Sequence, residues 1–196
     1  MNSDLLEPSE LNVDLAFSSI SEINSDEISK DVCNQFRLLD SEFWSTQLKV
    51  WIQYISNDTT SICPDLVRQI NSFSIGLQFT DDRTIAQLNK EWLDKATKTD
   101  VLSFPVFDPR MVHPGNKHAE LGDIIVSIPT AQKQALEHNH HLSIELLWLV
   151  SHGLLHLLGW DHQEEKTLRK MLRFQEQLLG ISVNLPTEGI EAEQPL

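Results

Sequence analysis

Apolar and polar residues alternate over several short stretches of this chain, and between them the apolar period lengthens to three or four. Leu11 to Phe17 (LNVDLAF) alternates and predicts a first strand, Ser72 to Phe79 (SFSIGLQF) a second, and Leu121 to Ile128 another. Val101 to Phe107 is extended too, but Pro105 cannot donate to a ladder, which predicts an edge strand or one that ends there. Trp44, Leu48, Trp51, Ile52 and Ile55 make one apolar stripe of a helix that Asp40 or Ser41 would cap. Those aromatics read as core rather than as a base-stacking platform. Pro64 suits the first turn of a short helix running to Ile70. Asp81 and Asp82 open a helix carrying Ile85, Leu88 and Trp92, followed by a charged connection from Lys95 to Lys98. Further helices are expected over Thr130 to Glu137, over Leu146 to Leu157 (capped by Ser143, with Glu145 in the first turn), and over Glu164 to Leu179, ending at Gly180. Residues 18–40 show no clear period and read as loop with room for a short helix. About four strands and five or six helices in this mixture predict an α+β fold, a small mixed sheet with helices packed on it.

Composition bounds the picture. At 196 residues with 40% apolar content, the chain suits one domain, expected over 10–182, between a flexible acidic tail (1–9) and a disordered acidic tail (183–196). No run reaches the ~18 uncharged apolar residues that a membrane span needs. The acidic start, MNSDLLEPSE, is neither a secretory signal nor a transit peptide, so a cytoplasmic protein is expected. Cys33 and Cys63 form no C-x-x-C and read as free thiols of a reducing compartment. The net charge of −14 argues against a generally basic nucleic-acid binder, yet its acids gather at the ends: twelve in residues 1–66 against three bases, and four in 175–196 against none. The middle is nearly balanced. Its bases cluster as Lys90, Lys95, Lys98, Arg110 and Lys117, and as Lys166, Arg169, Lys170 and Arg173. The second group reads equally as a solvated helix face.

The candidate chemistry lies in Val150 to Gln163, VSHGLLHLLGWDHQ. In a helix His152 and His156 stand one above the other on one face. Gly159 follows where a helix needs a residue free to turn left-handed and stop. The chain can then return His162 beside the first two. Burying such imidazoles unpartnered would cost roughly 2 kcal/mol or more each, and three of them converging fit a zinc site with the fourth position left to water. The spacing H-x-x-x-H-x-x-G-x-x-H is that of the metzincin motif, except that Gly153 stands where those proteases have their glutamate base, so peptide cleavage is a poor expectation. Asp161 either orients a ligand imidazole or caps the following helix. Asp123 is read as a structural residue at its strand end rather than as one bonding backbone near the site. His113 and His118 are expected on a solvated loop, and His138, His140 and His141 in a polar turn facing solvent rather than in a second metal site.

HGLLHLLGWDH resembles the signature of the YbeY family of metal-dependent endoribonucleases. Leu88-Asn89 followed by Thr99-Asp100-Val101-Leu102-Ser103-Phe104-Pro105 is similar to that family's LN…TDVLSFP block, and Leu121-Gly122-Asp123-Ile124 to its LGDI strand. Three blocks in the same order cover roughly Ser72 to Gly180. The resemblance implies a zinc-dependent, single-strand-type endoribonuclease with a metzincin-like active-site helix, one Zn2+ per chain on His152, His156 and His162, and a role in maturation and quality control of small-subunit ribosomal RNA. It also implies partners on the ribosomal small subunit, among them ribosomal proteins or assembly GTPases. In that family an arginine usually stands five residues after the leucine of the LN pair; here the position is Leu93, with Lys90, Lys95 and Lys98 as the nearby candidates for RNA contact. Two rival readings are a non-catalytic ribosome-assembly factor with a structural metal, and a metallopeptidase.

Overall fold

The computed structural model describes residues 11–19, 38–58, 67–108, 115, 117–161 and 164–182. Four strands, β1 (Asn12–Ser19), β2 (Ser72–Thr80), β3 (Val101–Pro105) and β4 (His118–Ser127), form one sheet in the order β1-β2-β4-β3. β1, β2 and β4 run parallel, and β3 pairs antiparallel with β4. The sheet is mixed, and β3 is at its edge, as Pro105 predicts. Five α-helices accompany it: α1 (Ser41–Asn57), α2 (Asp82–Leu93), α3 (Ile128–Glu137), α4 (Leu142–Leu157) and α5 (Glu165–Gly180). The fold is α+β.

Local chemistry accounts for most of these elements. Asp40 caps α1 by accepting from the Glu42 N–H at 2.8 Å. Its stripe, Trp44, Leu48, Trp51, Ile52 and Ile55, is fully buried on one face of the sheet, where Trp44 meets Phe79 edge-on at 5.4 Å. Because successive strand residues point to opposite faces, Ile124 and Val126 join this core while Ile125 between them does not. Ile125, with Leu102, meets Ile85 of α2 in a small second cluster on the other face. Within β4 the register slips by one residue opposite Ser74 and Ile75. There Gly122 adopts φ +118, and a Cβ on it would lie 2.0 Å from the Phe104 carbonyl oxygen, so only glycine lets β4 pass the edge strand.

Several expectations change. Trp92 is 66% exposed and rests against Phe104 at 5.7 Å, outside the core, so the apolar stripe of α2 ends at Leu88. α4 begins at Leu142 instead of Leu146, because extending it backward buries Leu142. Its N-cap is then His141, and Ser143 lies within the first turn. β4 begins at His118, so that histidine is a strand residue bonded to Ser72 Oγ at 3.1 Å. Of the short helix expected from Pro64 to Ile70, the described part is a 3-10 turn, Val67–Gln69. The turn between α3 and α4 is only partly in solvent, since His140 turns inward onto the buried carboxylate of Glu145. Among the described residues no helix is long and apolar enough to cross a membrane. Both tails, Cys33, Cys63, Pro64, Arg110 and His113 lie outside the described residues.

Candidate metal centre

α4 crosses the sheet closely at Gly153. A Cβ there would stand 2.8 Å from Ile124 Cγ2 and 3.1 Å from Ser103 Oγ, so the residue after the first histidine is glycine for lack of space. Helical spacing then sets His152 and His156 on one face at the helix margin, both half-buried. Their rings meet edge-to-face with centroids 4.6 Å apart, and the two Nε2 atoms are separated by 3.1 Å. α4 ends at Leu157, and Gly159 turns the chain at φ +88 with its N–H on the His156 carbonyl at 3.0 Å. Trp160 is buried against Phe174 of α5, stacked at 5.0 Å, which fixes the direction in which the chain leaves. Asp161 follows on the surface, beside the histidines. Glu164 caps α5, so the capping alternative for Asp161 falls. His162 lies outside the described residues.

A residue that sequence reasoning missed organises the pair. Gln175 of α5 is completely buried. Its Nε2 donates to the Trp148 carbonyl at 3.1 Å and to Ser151 Oγ at 3.4 Å, and Ser151 Oγ donates to the same carbonyl at 2.9 Å. Those acceptors orient the amide, because the reversed orientation would set Oε1 against a carbonyl oxygen. Oε1 therefore faces His152 Nδ1, 3.1 Å away, and accepts its proton. With Nδ1 protonated, His152 presents the bare Nε2 lone pair toward His156. The signal in the sequence was a glutamine inside an otherwise apolar stripe, Met171, Phe174 and Leu178.

The donor set fits zinc. Two nitrogens each about 2.05 Å from one ion at the tetrahedral angle would be about 3.3 Å apart, close to the 3.1 Å observed. The same separation otherwise serves one hydrogen bond from His156 to His152. The oriented tautomer is the arrangement that metal-ligating histidines need, with the second ring nitrogen donating to a fixed acceptor.

The pair opens into a cleft of about 500 Å³, walled by the edge strand (Val101, Leu102, Ser103, Pro105), by Gly159, Trp160 and Asp161, and by Leu93 at the end of α2. Among the described residues none of its walls is a lysine or an arginine. Lys90 and Lys95 are exposed but away from these walls, and Lys98 pairs with Asp82 at 2.6 Å. Two other polar residues of the sequence blocks hold the edge strand in place. Asn89, buried, donates to the Thr97 carbonyl at 2.7 Å and closes the connection after α2. Asp100 accepts from Gln134 Nε2 at 2.9 Å, the Val101 N–H at 2.8 Å and Thr99 Oγ1 at 3.0 Å. Burial pushes the Asp100 carboxyl upward, but these donors outweigh it and hold it below the usual carboxylate range. Asp123 stands in the middle of β4, not at a strand end, with its side chain over Gly76.

Comparison with known proteins places the chain among named relatives. Residues 38–181 match the family described as Endoribonuclease YbeY. The chain is 49% identical over 174 residues to the Endoribonuclease YbeY of Prochlorococcus marinus (strain MIT 9211), covering 88% of each. It is 48% identical over 177 residues to that of P. marinus (strain MIT 9313), covering 89% of this chain and 93% of the relative. With that of Synechococcus sp. (strain CC9311) the identity is 46% over 175 residues, covering 89% and 98%.

Proposed function

The chain belongs to the YbeY endoribonuclease family, and from that membership we propose that it hydrolyses phosphodiester bonds of RNA at a zinc centre held by His152, His156 and His162. The observation that carries the reading is the pair of Nε2 atoms 3.1 Å apart, one in a tautomer imposed by Gln175, at the floor of a cleft along an exposed strand. Zinc at that position supplies a Lewis acid that acidifies water and polarises a phosphoryl oxygen. The rest falls to the chain. α4, pressed onto Ile124 at Gly153, sets the height of the histidines above the strand. To Asp161, which lines the same cleft, we assign the orienting of a ligand imidazole. The edge strand offers Ser103 and its outer margin to an extended single strand of RNA. Lys90 and Lys95, and Lys98 once released from Asp82, attract its phosphates.

The proposed substrate is small-subunit ribosomal RNA, in its maturation and quality control, in the cytoplasm, with ribosomal proteins or assembly GTPases bringing the enzyme to the particle. One observation favours a second reading, a non-catalytic assembly factor with a structural metal: the cleft walls carry Leu93 and, among the described residues, no cationic side chain to meet a phosphate. A metallopeptidase is disfavoured, because Gly153 supplies no base and the space beside it is filled. The test is cleavage of a structured small-subunit RNA fragment by zinc-loaded wild type, His152→Ala and His156→Ala, before and after chelation. Loss of about 100-fold or more in both variants and on chelation supports the enzyme. Equal rates in all three leave the assembly-factor reading.

A further inference from the structure

Between α3 and α4 the chain reverses in four residues, and the reversal brings two imidazoles onto one carboxylate. His138 ends α3, Asn139 takes φ +55, and the His140 N–H returns to the Ala135 carbonyl at 3.0 Å. Glu145, one turn into α4, is only 2% exposed. Its Oε2 lies 3.4 Å from His138 Nδ1 and closer still to His140 Nε2. Among the described residues its ion-pair partners are these two imidazoles, with no lysine or arginine.

Burying a carboxylate this deeply is costly unless it is paired or hydrogen-bonded. Hydrogen bonds from the imidazoles or a cation shared by both would meet that need. Two observations favour the cation. Both imidazoles, rather than one, direct a ring nitrogen at the same oxygen, so the three donor atoms all lie within 4.8 Å of one another. Of the three donors, His140 borders a hollow of about 340 Å³ that Asn139 and His141 also line, from which water could reach its side of the cluster.

We propose that His138, His140 and Glu145 form a second divalent-cation site, separate from the His152–His156 pair, that staples α3 to the first turn of α4. Two imidazole nitrogens and one carboxylate oxygen are a donor set of zinc and neighbouring first-row ions. The role is structural: the ion neutralises Glu145 and anchors the start of the helix that bears the other histidines.

The experiment is a zinc titration of the full chain without an affinity tag, with calorimetry for stoichiometry and thermal melting for stability. His152→Ala/His156→Ala is expected to keep about one equivalent that raises its Tm. His138→Ala/His140→Ala is expected to lose that equivalent, with affinity at this site falling about 100-fold or more, and to keep the other. His138→Gln changes an exposed side chain, so the fold persists, and about a tenfold weakening is expected from one lost ligand. Uptake of no ion by His152→Ala/His156→Ala, or of an ion whose affinity is unchanged when His138 is also replaced by Gln, overturns the proposal. A failure of the proposed nuclease centre would show separately, as a missing equivalent in His138→Ala/His140→Ala.

Discussion

Replacing Gln175 by leucine isolates what the buried amide does for the histidine pair. Leucine nearly matches glutamine in size and suits the apolar stripe, so the cost falls on polar groups. The Trp148 carbonyl and Ser151 Oγ lose a donor at 3.1 and 3.4 Å, and His152 Nδ1 loses its acceptor at 3.1 Å. An unsatisfied buried group costs about 1–3 kcal/mol, partly offset by burying apolar surface, so a net loss near 1 kcal/mol and a fall of about 2–4 °C in Tm are expected. The larger effect is on the metal. Without its acceptor His152 spends time in the tautomer whose Nε2 carries the proton, and zinc affinity should fall about 10- to 100-fold, or about 1.4–2.8 kcal/mol. Gln175→Glu separates the two effects. It keeps an acceptor toward Nδ1 but sets an oxygen against the Trp148 carbonyl, so it should melt lower than wild type yet bind zinc at least as well. The assay is competitive zinc titration against a chromophoric chelator near pH 7.5, with long-range 1H–15N NMR of the apo protein to read the His152 tautomer. A folded Gln175→Leu that binds zinc as wild type does, with Nδ1 still carrying the proton, refutes the reasoning.

Leu93→Arg should raise single-turnover RNA cleavage about 10- to 100-fold by placing a guanidinium on the cleft wall, with little effect on stability because Leu93 is 52% exposed; an unchanged rate would remove phosphate contact from this position. Gly153→Ala forces a Cβ to 2.8 Å from Ile124, an overpacking cost of about 1–3 kcal/mol reduced by about 1 kcal/mol of helix propensity. It should therefore melt about 2–4 °C lower, Gly153→Glu should fold poorly rather than gain peptidase activity, and a melting point above wild type would contradict the close approach. Asp82 is pushed up by burial but held below the usual carboxylate range by bonds from Lys98, Ser127 and Thr130, each 2.6 Å long. A depressed carboxylate stabilises the fold above its unfolded-state value and loses that contribution as pH falls through its folded one. Asp82→Asn should thus melt lower than wild type at pH 6, with the gap closing below about pH 4; a gap independent of pH would show that charge plays no part.

What could be read along the chain followed how local the cause was. Alternation in Ser72–Phe79, the Asp40 and Asp81 caps and the stripe through Trp44 and Trp51 are properties of neighbouring residues, and each took the expected place. Pro105 put β3 at the edge by removing one donor. Where α4 begins was not local: Leu142 joins the helix because it is buried by the rest of the fold, and this displaced Ser143 from the cap. Trp92 was misplaced because periodicity does not show where the surface beneath a helix ends. The histidine pair followed from a four-residue spacing, but its orienting partner Gln175 is 23 residues from His152 and belongs to another helix. The fate of Glu145 was equally hidden, since a first-turn acid is usually solvated and this one is enclosed by two imidazoles.

The dependence of His152 on a group so far downstream bears on when the centre becomes competent. During synthesis α4 leaves the ribosome before α5 exists to pack against it. Until Trp51 Nε1 has reached the Leu178 carbonyl at 2.8 Å and Trp160 has found Phe174, the His152 imidazole has no fixed acceptor for its Nδ1 proton. If the proposed centre is built on His152, its orienting partner would reach it only when this last helix docks.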